Sequence, residues 1–573
     1  MTRAPSSPVA ATRFSRRNVM RAAGVGTAAA GVGAAVAAVS TATAPAARDA
    51  DGIAGFDLTD LAFDVVDQLR PRDLIGDRFV TLHDRFGAGA TAYDVLAPDG
   101  RKGTVDRNRG HLELSGGPHF TLLKSTTGQE APFAAVVVSV AEFSGDATED
   151  RVYAGLVRGR NSWVLAWYDH ADGTVGIDAS VDGTVQPLLD APVEVGELAA
   201  PCQIAFALTS TSVVAFVNEG NEGNDESAFR PVAKADLADV VDLRRPEALE
   251  VYRNGFGVRS GSGRTELAEV RAGYFGQLGL RDPHLVTHAS GKPYIRNNKA
   301  YLTFTQAGLG FFETAHWGVW TVDLDTYELT QVANLFFTRE GLGVVLGDHA
   351  GHIVRDDAND RWIVANSTWG DFAFEGVEIN YTTLPTSTDV LHGVHVLRTR
   401  RLPLPLGQLT SLHVGQWDPH LVRIGRRWYV GFVNARKFFT FFPALARSPR
   451  GADFTELDLV GADYDKVETE GPVMQKFGDR WFLMASNGDN SPAGIQGEYP
   501  VYDLRMEQIG TLDAPHPTNI PWPMVFPVPT GNGEVRWVLL TFQGTQFVEE
   551  LLGYGTHGDI VVMEGHSRTR NPF

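Results

Sequence analysis

The chain alternates apolar and polar positions in short runs, and most of those runs end at Gly, Asn or Asp turn residues. From about Gly55 to Phe275 the runs "HFTLLKS", "FAAVVVSVAEF", "RVYAGLVRG", "SWVLAWYDH", "TVGIDASVDG", "CQIAFALTS" and "TSVVAFVNEG" follow one another, separated by turns such as "HADGT" and "VDGT". A period of two with frequent turns predicts an antiparallel β-sandwich. From Gly276 to Phe573 the pattern becomes an internal repeat: an apolar strand, a polar turn, then an aromatic-rich strand. The repeats begin at Arg281 ("RDPHLV"), His349 ("HAGHIVRDD"), Trp417 ("WDPHLV"), Glu470 ("EGPVMQKF") and Pro523 ("PMVFPVP"), in steps of 68, 68, 53 and 53 residues. Each step has room for a four-stranded sheet, and five such sheets predict a five-bladed β-propeller whose innermost strands line a shared axial channel. The expected class is all-β, with a sandwich or jelly roll at 55–275 and a propeller at 276–573.

Residues 1–46 follow neither pattern. Arg16 and Arg17 in "SRRNVM" precede an Ala/Gly/Val stretch, and small residues at Ala44–Ala46 offer cleavage sites. This resembles a twin-arginine signal peptide, which implies export and an extracellular location. The single cysteine, Cys202, allows no internal disulfide. The net charge is −19, and losing the five arginines of the leader would bring it to about −24. Such a field disfavours nucleic acid and anionic membranes as partners and leaves a neutral saccharide free to approach.

The repeat gives the acidic residues a reason to meet. Asp282, Asp418 and Glu470 stand at nearly equivalent points of repeats one, three and four, although 136 and 188 residues separate the latter two from the first. Blade symmetry predicts that they share one end of the channel. A following Pro is expected to hold the carboxylate residue extended and out of the strand ladder. Each Asp-Pro also makes sense as a simple strand-entry turn. Carboxylates gathered in a partly dry pocket suit glycoside hydrolysis, which needs one ionised carboxylate and one kept protonated by burial and nearby negative charge.

With these motifs in order, "RDP", "WDP" and "TEGP", the C-terminal half resembles glycoside hydrolase family 43. The resemblance implies Asp282 as general base, Asp418 as modulator of the acid's pKa and Glu470 as general acid. It also implies inversion at the anomeric carbon of an α-L-arabinofuranoside or β-xyloside of plant or microbial polysaccharide. The segment "YRNGFGVRSGSGRTELAEVRAGYF" resembles the closing strands of concanavalin-like, laminin-G-like domains. Arg281, His349, Trp417 and Trp522 are the candidate sugar-binding residues, with Trp317, Trp320, Trp369 and Arg436 behind them. Asp348, His349 and His352 serve equally well as sugar contacts or as structural groups.

The chain departs from the family at blade two, and blade five lacks a clear "GH" for an axial metal, His516 being the nearest candidate. No metal ligand is assigned and no cofactor is required. A structural calcium ion stays open, including at the acidic stretch Asn218–Ser227. Two other readings stand beside the glycosidase: a propeller hydrolase of fructofuranosides or D-arabinofuranosides, and a non-catalytic carbohydrate-binding propeller.

Overall fold

The computed structural model describes Leu58 and residues 61–567, apart from 88–90, 109, 145–148, 221–227, 373–375, 439, 518, 531–534, 547–548 and 554–556. The expected leader, 1–46, and most of the acidic stretch lie outside the described residues.

The C-terminal half forms five four-stranded antiparallel units. Blade one runs Leu280–Leu285, Lys299–Gln306, His316–Asp323 and Leu329–Arg339; blade two runs His349–Asp356, Arg361–Ser367, Ile379–Pro385 and Gly393–Arg401. Blade three begins with Gly415–Ile424 and blade four with Thr469–Phe477, each followed by three more strands in sequence order. All five repeat starts read from the sequence fall at the innermost strands. These strands are buried on both faces, so their side chains are almost continuously apolar or tightly paired. Apolar clusters fill the wedges between neighbouring blades. Trp317, Ile353 and Trp362 pack between blades one and two, Ile363, Leu421 and Phe432 between two and three, and Val422, Met474 and Leu483 between three and four. The outer strands of blades one and two also pair in parallel, from Ala333↔Gly393 to Arg339↔Thr399.

Blade five is closed by a strand from the far end of the chain. Met524–Pro529, Val535–Gln546 and His557–Ser567 supply three strands, and Leu61–Leu69 pairs antiparallel with the last of them. The sequence pattern assigned Leu61–Leu69 to the sandwich. The pairing puts it in the propeller ring, because its alternation of buried and exposed residues suits either sheet and only the long-range partner decides.

The sandwich lies between that closing strand and blade one in sequence. Two eight-stranded sheets face each other across a core of Val, Ala, Leu and aromatic side chains. The outer face of one sheet carries Phe133, Ala205 and Phe216 and packs against Leu309, Phe336 and Val345 of the propeller. Phe133 stacks on Phe336 with ring centroids 5.0 Å apart. Beside this contact the amide of Leu309 donates to Oγ1 of Thr209 at 3.2 Å. The sandwich therefore grips blade one at the segment leading to Phe312, on the wall of the axial cavity.

Candidate active site

One end of the propeller axis opens into a cavity, and Asp282, Asp418 and Glu470 all line it. Arg281, His349, Trp417 and Trp522 line it too. Trp317 and Trp320 do not; they pack inside blade one and its wedges.

The backbone explains how the carboxylates reach the axis, and it differs from the sequence expectation. Asp282 and Asp418 are left-handed, each with φ 55°, not extended. Each sits in a β-bulge: the register slips between Arg281 and His284 in blade one and between Trp417 and His420 in blade three. Blades two and four bulge at the same place, with Ala350 (φ 54°) and Gly471 (φ 65°) as the left-handed residues. Aspartate tolerates this conformation better than most residues. At Gly471 a Cβ would also lie 2.6 Å from Cγ of Trp522, so glycine is required on both counts.

Registering the bulges moves Glu470 by one position. Its equivalents are Arg281, His349 and Trp417, while Gly471 is the equivalent of the two aspartates. The side chains next to each left-handed residue thus form a second ring composed of Arg281, His349, Trp417 and Glu470.

Short hydrogen bonds tie the bulges together. The hydroxyl of Ser367 donates to the carbonyl of Ala350 at 2.6 Å and accepts the amide of Asp418 at 2.9 Å. The amide of Gly471 donates to Oδ2 of Asp418 at 3.1 Å, and the indole of Trp417 donates to Oε2 of Glu470 at 3.2 Å. Arg281 Nε lies 3.7 Å from Oδ2 of Asp282.

These partners set three different electrostatic environments. Burial raises the pKa of Asp282, while the Arg281 guanidinium opposes the rise. Asp418 is held well above the carboxylate range by burial, then by the charges of Glu470 and Asp282, with only the Gly471 amide opposing. Glu470 is pushed up to about 8, first by burial and then by Asp282, against the Trp417 hydrogen bond. The cavity thus favours one anion beside Arg281 and a proton on Glu470 at neutral pH.

The other candidates take supporting positions. His349 uses both ring nitrogens, Nδ1 3.2 Å from Oγ1 of Thr305 and Nε2 3.2 Å from the carbonyl of Phe312. Burial holds its pKa well below the usual value, so it stays neutral and braces the cavity wall. Trp417 and Trp522 are 3% and 1% exposed. Asp348 receives Arg339 Nε at 2.9 Å and the amide of Gly370 at 2.9 Å, fixing the turn that carries Trp369. His516 contacts Ser486 at 3.0 Å and packs on Tyr499, and it is not part of the cavity lining.

Two residues beyond each bulge, His284, His352 and His420 meet on the axis, with ligand-capable atoms within 4.8 Å of one another. Burial lowers the pKa of all three. His284 Nε2 and His420 Nδ1 lie 2.8 Å apart, sharing one proton in a hydrogen bond. His352 Nδ1 accepts the amide of Leu421 at 3.0 Å, so its proton is on Nε2, 3.0 Å from Oγ1 of Thr287. An all-nitrogen set does not fit calcium, which takes oxygen ligands. Its hydrogen bonds instead stitch together the inner strands of blades one to three.

The sequence pattern missed the aromatic wall. Phe312, Phe438 and Phe441 line the cavity beside Trp369. Phe312 and Phe438 come from connections between second and third strands and Phe441 from the start of a third strand, where no repeat motif marks them.

No protein-family model matches the chain, and no curated protein matches it. Among solved structures, the carbohydrate-binding module CBM66 from Bacillus subtilis aligns at 9% identity and a TM-score of 0.23, over 30% of this chain and 94% of that one. Levansucrase from Bacillus subtilis aligns at 8% identity and a TM-score of 0.36, over 49% of this chain and 82% of that one. A levansucrase mutant from B. megaterium aligns at 8% identity and a TM-score of 0.34, over 49% and 81%. Likenesses at this level assign nothing to the chain; the fold rests on its own strand pairings and the site on its own geometry.

Proposed function

We propose that the protein is an exported glycoside hydrolase acting on glycosides of a furanose or xylose. The observation that carries this reading is the division of labour within one buried cavity. Arg281 keeps Asp282 the most readily ionised carboxylate, while burial and neighbouring charge keep a proton on Glu470 up to about pH 8.

In this reading the Asp282 carboxylate takes a proton from water as the water oxygen attacks the anomeric carbon. Glu470 delivers its proton to the glycosidic oxygen as the bond to the aglycone breaks. Asp418 touches the machinery through the Gly471 amide, while the charge of Asp282 favours the protonated form of Glu470. Trp417 aims the acid. The stereochemical expectation is inversion, with water occupying the gap between Asp282 and Glu470.

The test is a screen of aryl glycosides with arabinan, xylan and fructan, on the chain lacking residues 1–46. The first product is read by NMR for its anomeric configuration. Glu470→Gln should lose about 10²–10⁴-fold on natural glycosides while keeping activity on aryl glycosides with good leaving groups. Asp282→Ala should lose both. Retention of configuration would reassign Asp282 from base to nucleophile, and glycan binding without any hydrolysis would make the protein a lectin. Export through the twin-arginine route is part of the same proposal. It requires that replacing Arg16 and Arg17 by Lys strands the protein in the cytoplasm.

A further inference from the structure

The mouth of the cavity is chemically lopsided. In blade one the connection from Lys299–Gln306 to His316–Asp323 carries Phe311 and Phe312. In blade two the connection from Arg361–Ser367 to Ile379–Pro385 carries Trp369 and Phe372, and in blade three Phe438 stands between Arg427–Lys437 and Thr440–Arg447. The matching connection of blade four, "GDNSPAGIQGEY", has no aromatic residue before Tyr499, which is itself buried.

The rings on the first three blades form one continuous strip. Centroids are 4.3 Å apart for Phe311–Phe312, 4.8 Å for Phe312–Trp369, 5.1 Å for Trp369–Phe372 and 5.1 Å for Phe372–Phe438. Phe311, Phe312, Phe372 and Phe438 are all half-buried. Beyond them, Leu412 and Val414 are 71% and 39% exposed on the segment entering blade three. The amide of Gly376, four residues after Phe372, donates to the carbonyl of Val414 at 3.3 Å.

The strip is braced. His349 holds the carbonyl of Phe312, Thr314 Oγ1 donates to the carbonyl of Phe311 at 2.7 Å, and Arg339 reaches Asp371 at 2.7 Å beside Phe372. A contiguous apolar surface held in place and left wet marks a binding site. Phenyl rings carry neither donor nor acceptor, so they match a hydrocarbon or aryl group better than a hydroxyl-rich sugar chain.

The strip also meets the acid. Trp417, which donates to Glu470, packs on Trp369 at 5.2 Å and on Phe441 at 5.1 Å. A leaving group protonated by Glu470 would depart against these rings.

We propose that this strip is the subsite for an apolar aglycone, alkyl or aryl, of the glycoside whose sugar ring occupies the cavity. This rests on the glycosidase reading and narrows it, from polysaccharide interiors to glycosides carrying a hydrophobic group.

Two measurements test it. The first needs no catalysis: titration of the intact protein with the neutral fluorescent probe N-phenyl-1-naphthylamine. Saturable binding is expected, weakened at least tenfold in the Phe372→Ser/Phe438→Ser double variant and largely kept in the Phe372→Leu/Phe438→Leu variant. Displacement by n-octyl β-xyloside but not by xylotetraose or arabinotetraose supports the assignment. Displacement by the tetrasaccharides, or equal probe binding in the serine variant, overturns it. Should the serine variant fail to fold, displacement on the wild-type protein decides alone. The second measurement is the ratio of kcat/KM for n-octyl over methyl glycosides of each sugar in the panel. It should exceed tenfold in the wild type and fall towards one in the serine variant; a ratio near one in the wild type overturns the proposal. Probe binding without hydrolysis of any glycoside would sink the glycosidase reading and leave the apolar subsite standing.

Discussion

The indole nitrogen of Trp417 donates a 3.2 Å hydrogen bond to Oε2 of Glu470. The two residues occupy the same position of adjacent blades, so the repeat itself places a donor beside the acid. The bond favours the ionised carboxylate and works against the burial that raises the pKa of Glu470. Trp417→Phe removes it. A hydrogen bond to a charged group is worth about 1.5–3 kcal/mol, and one pKa unit corresponds to about 1.4 kcal/mol. The alkaline limb of the pH–rate profile should therefore move upward by roughly one to two units. A limb that stays put would show that Trp417 is only a wall.

Arg281 acts on the opposite limb. Its guanidinium lowers the pKa of Asp282, which burial alone would raise. Arg281→Gln should therefore raise the acidic limb and narrow the profile from the acid side, with Arg281→Lys intermediate. Movement of the alkaline limb instead would exchange the roles of Asp282 and Glu470.

Keeping Glu470 protonated has a stability signature. Its folded pKa lies above the ordinary glutamate value, so between about pH 4.5 and about 8 the unfolded chain has released a proton that the folded chain still holds. The sign follows: this group's contribution to stability is fully present below pH 4.5 and is lost as pH rises through that window. Glu470→Gln, which cannot ionise, should melt at a higher temperature than the parent at pH 8, with the gap closing by pH 4. Calorimetry across that range measures it, and a gap that widens towards acid would contradict the assignment.

Gly471→Ala probes the bulge. The left-handed backbone costs a non-glycine residue about 1–2 kcal/mol. The added Cβ would also press on Trp522 from 2.6 Å. Loss of thermal stability together with loss of activity is expected, since the Gly471 amide also holds Asp418. An unchanged melting temperature would show that Trp522 yields freely.

Much of this arrangement is legible in the sequence, for a physical reason. Inner propeller strands are buried on both faces, so the repeats at Arg281, His349, Trp417, Glu470 and Pro523 stand out as apolar runs, and their spacing brings Asp282, Asp418 and Glu470 to one end. What stays hidden depends on backbone handedness or distant partners. Asp-Pro reads as extended from local sterics, yet the bulge turns Asp282 and Asp418 left-handed, and the resulting one-residue offset aligns Glu470 with Arg281. Phe312, Phe372 and Phe438 sit in connections with no repeated motif. The partner of Leu61–Leu69 lies at the other end of the described chain, beyond any local signal.

That closing strand makes the sandwich an insertion rather than an appendage. A fragment cut at Gly276 would begin neatly by sequence but would leave a bare hydrogen-bonding edge over residues 560–567 of the last strand, an invitation to pair with other copies. During synthesis, blade five has no fourth strand until the last one emerges and meets Leu61–Leu69, made hundreds of residues earlier. The axial cavity therefore gains its final wall only after His557–Ser567 has been made. Shorter chains have no sealed ring.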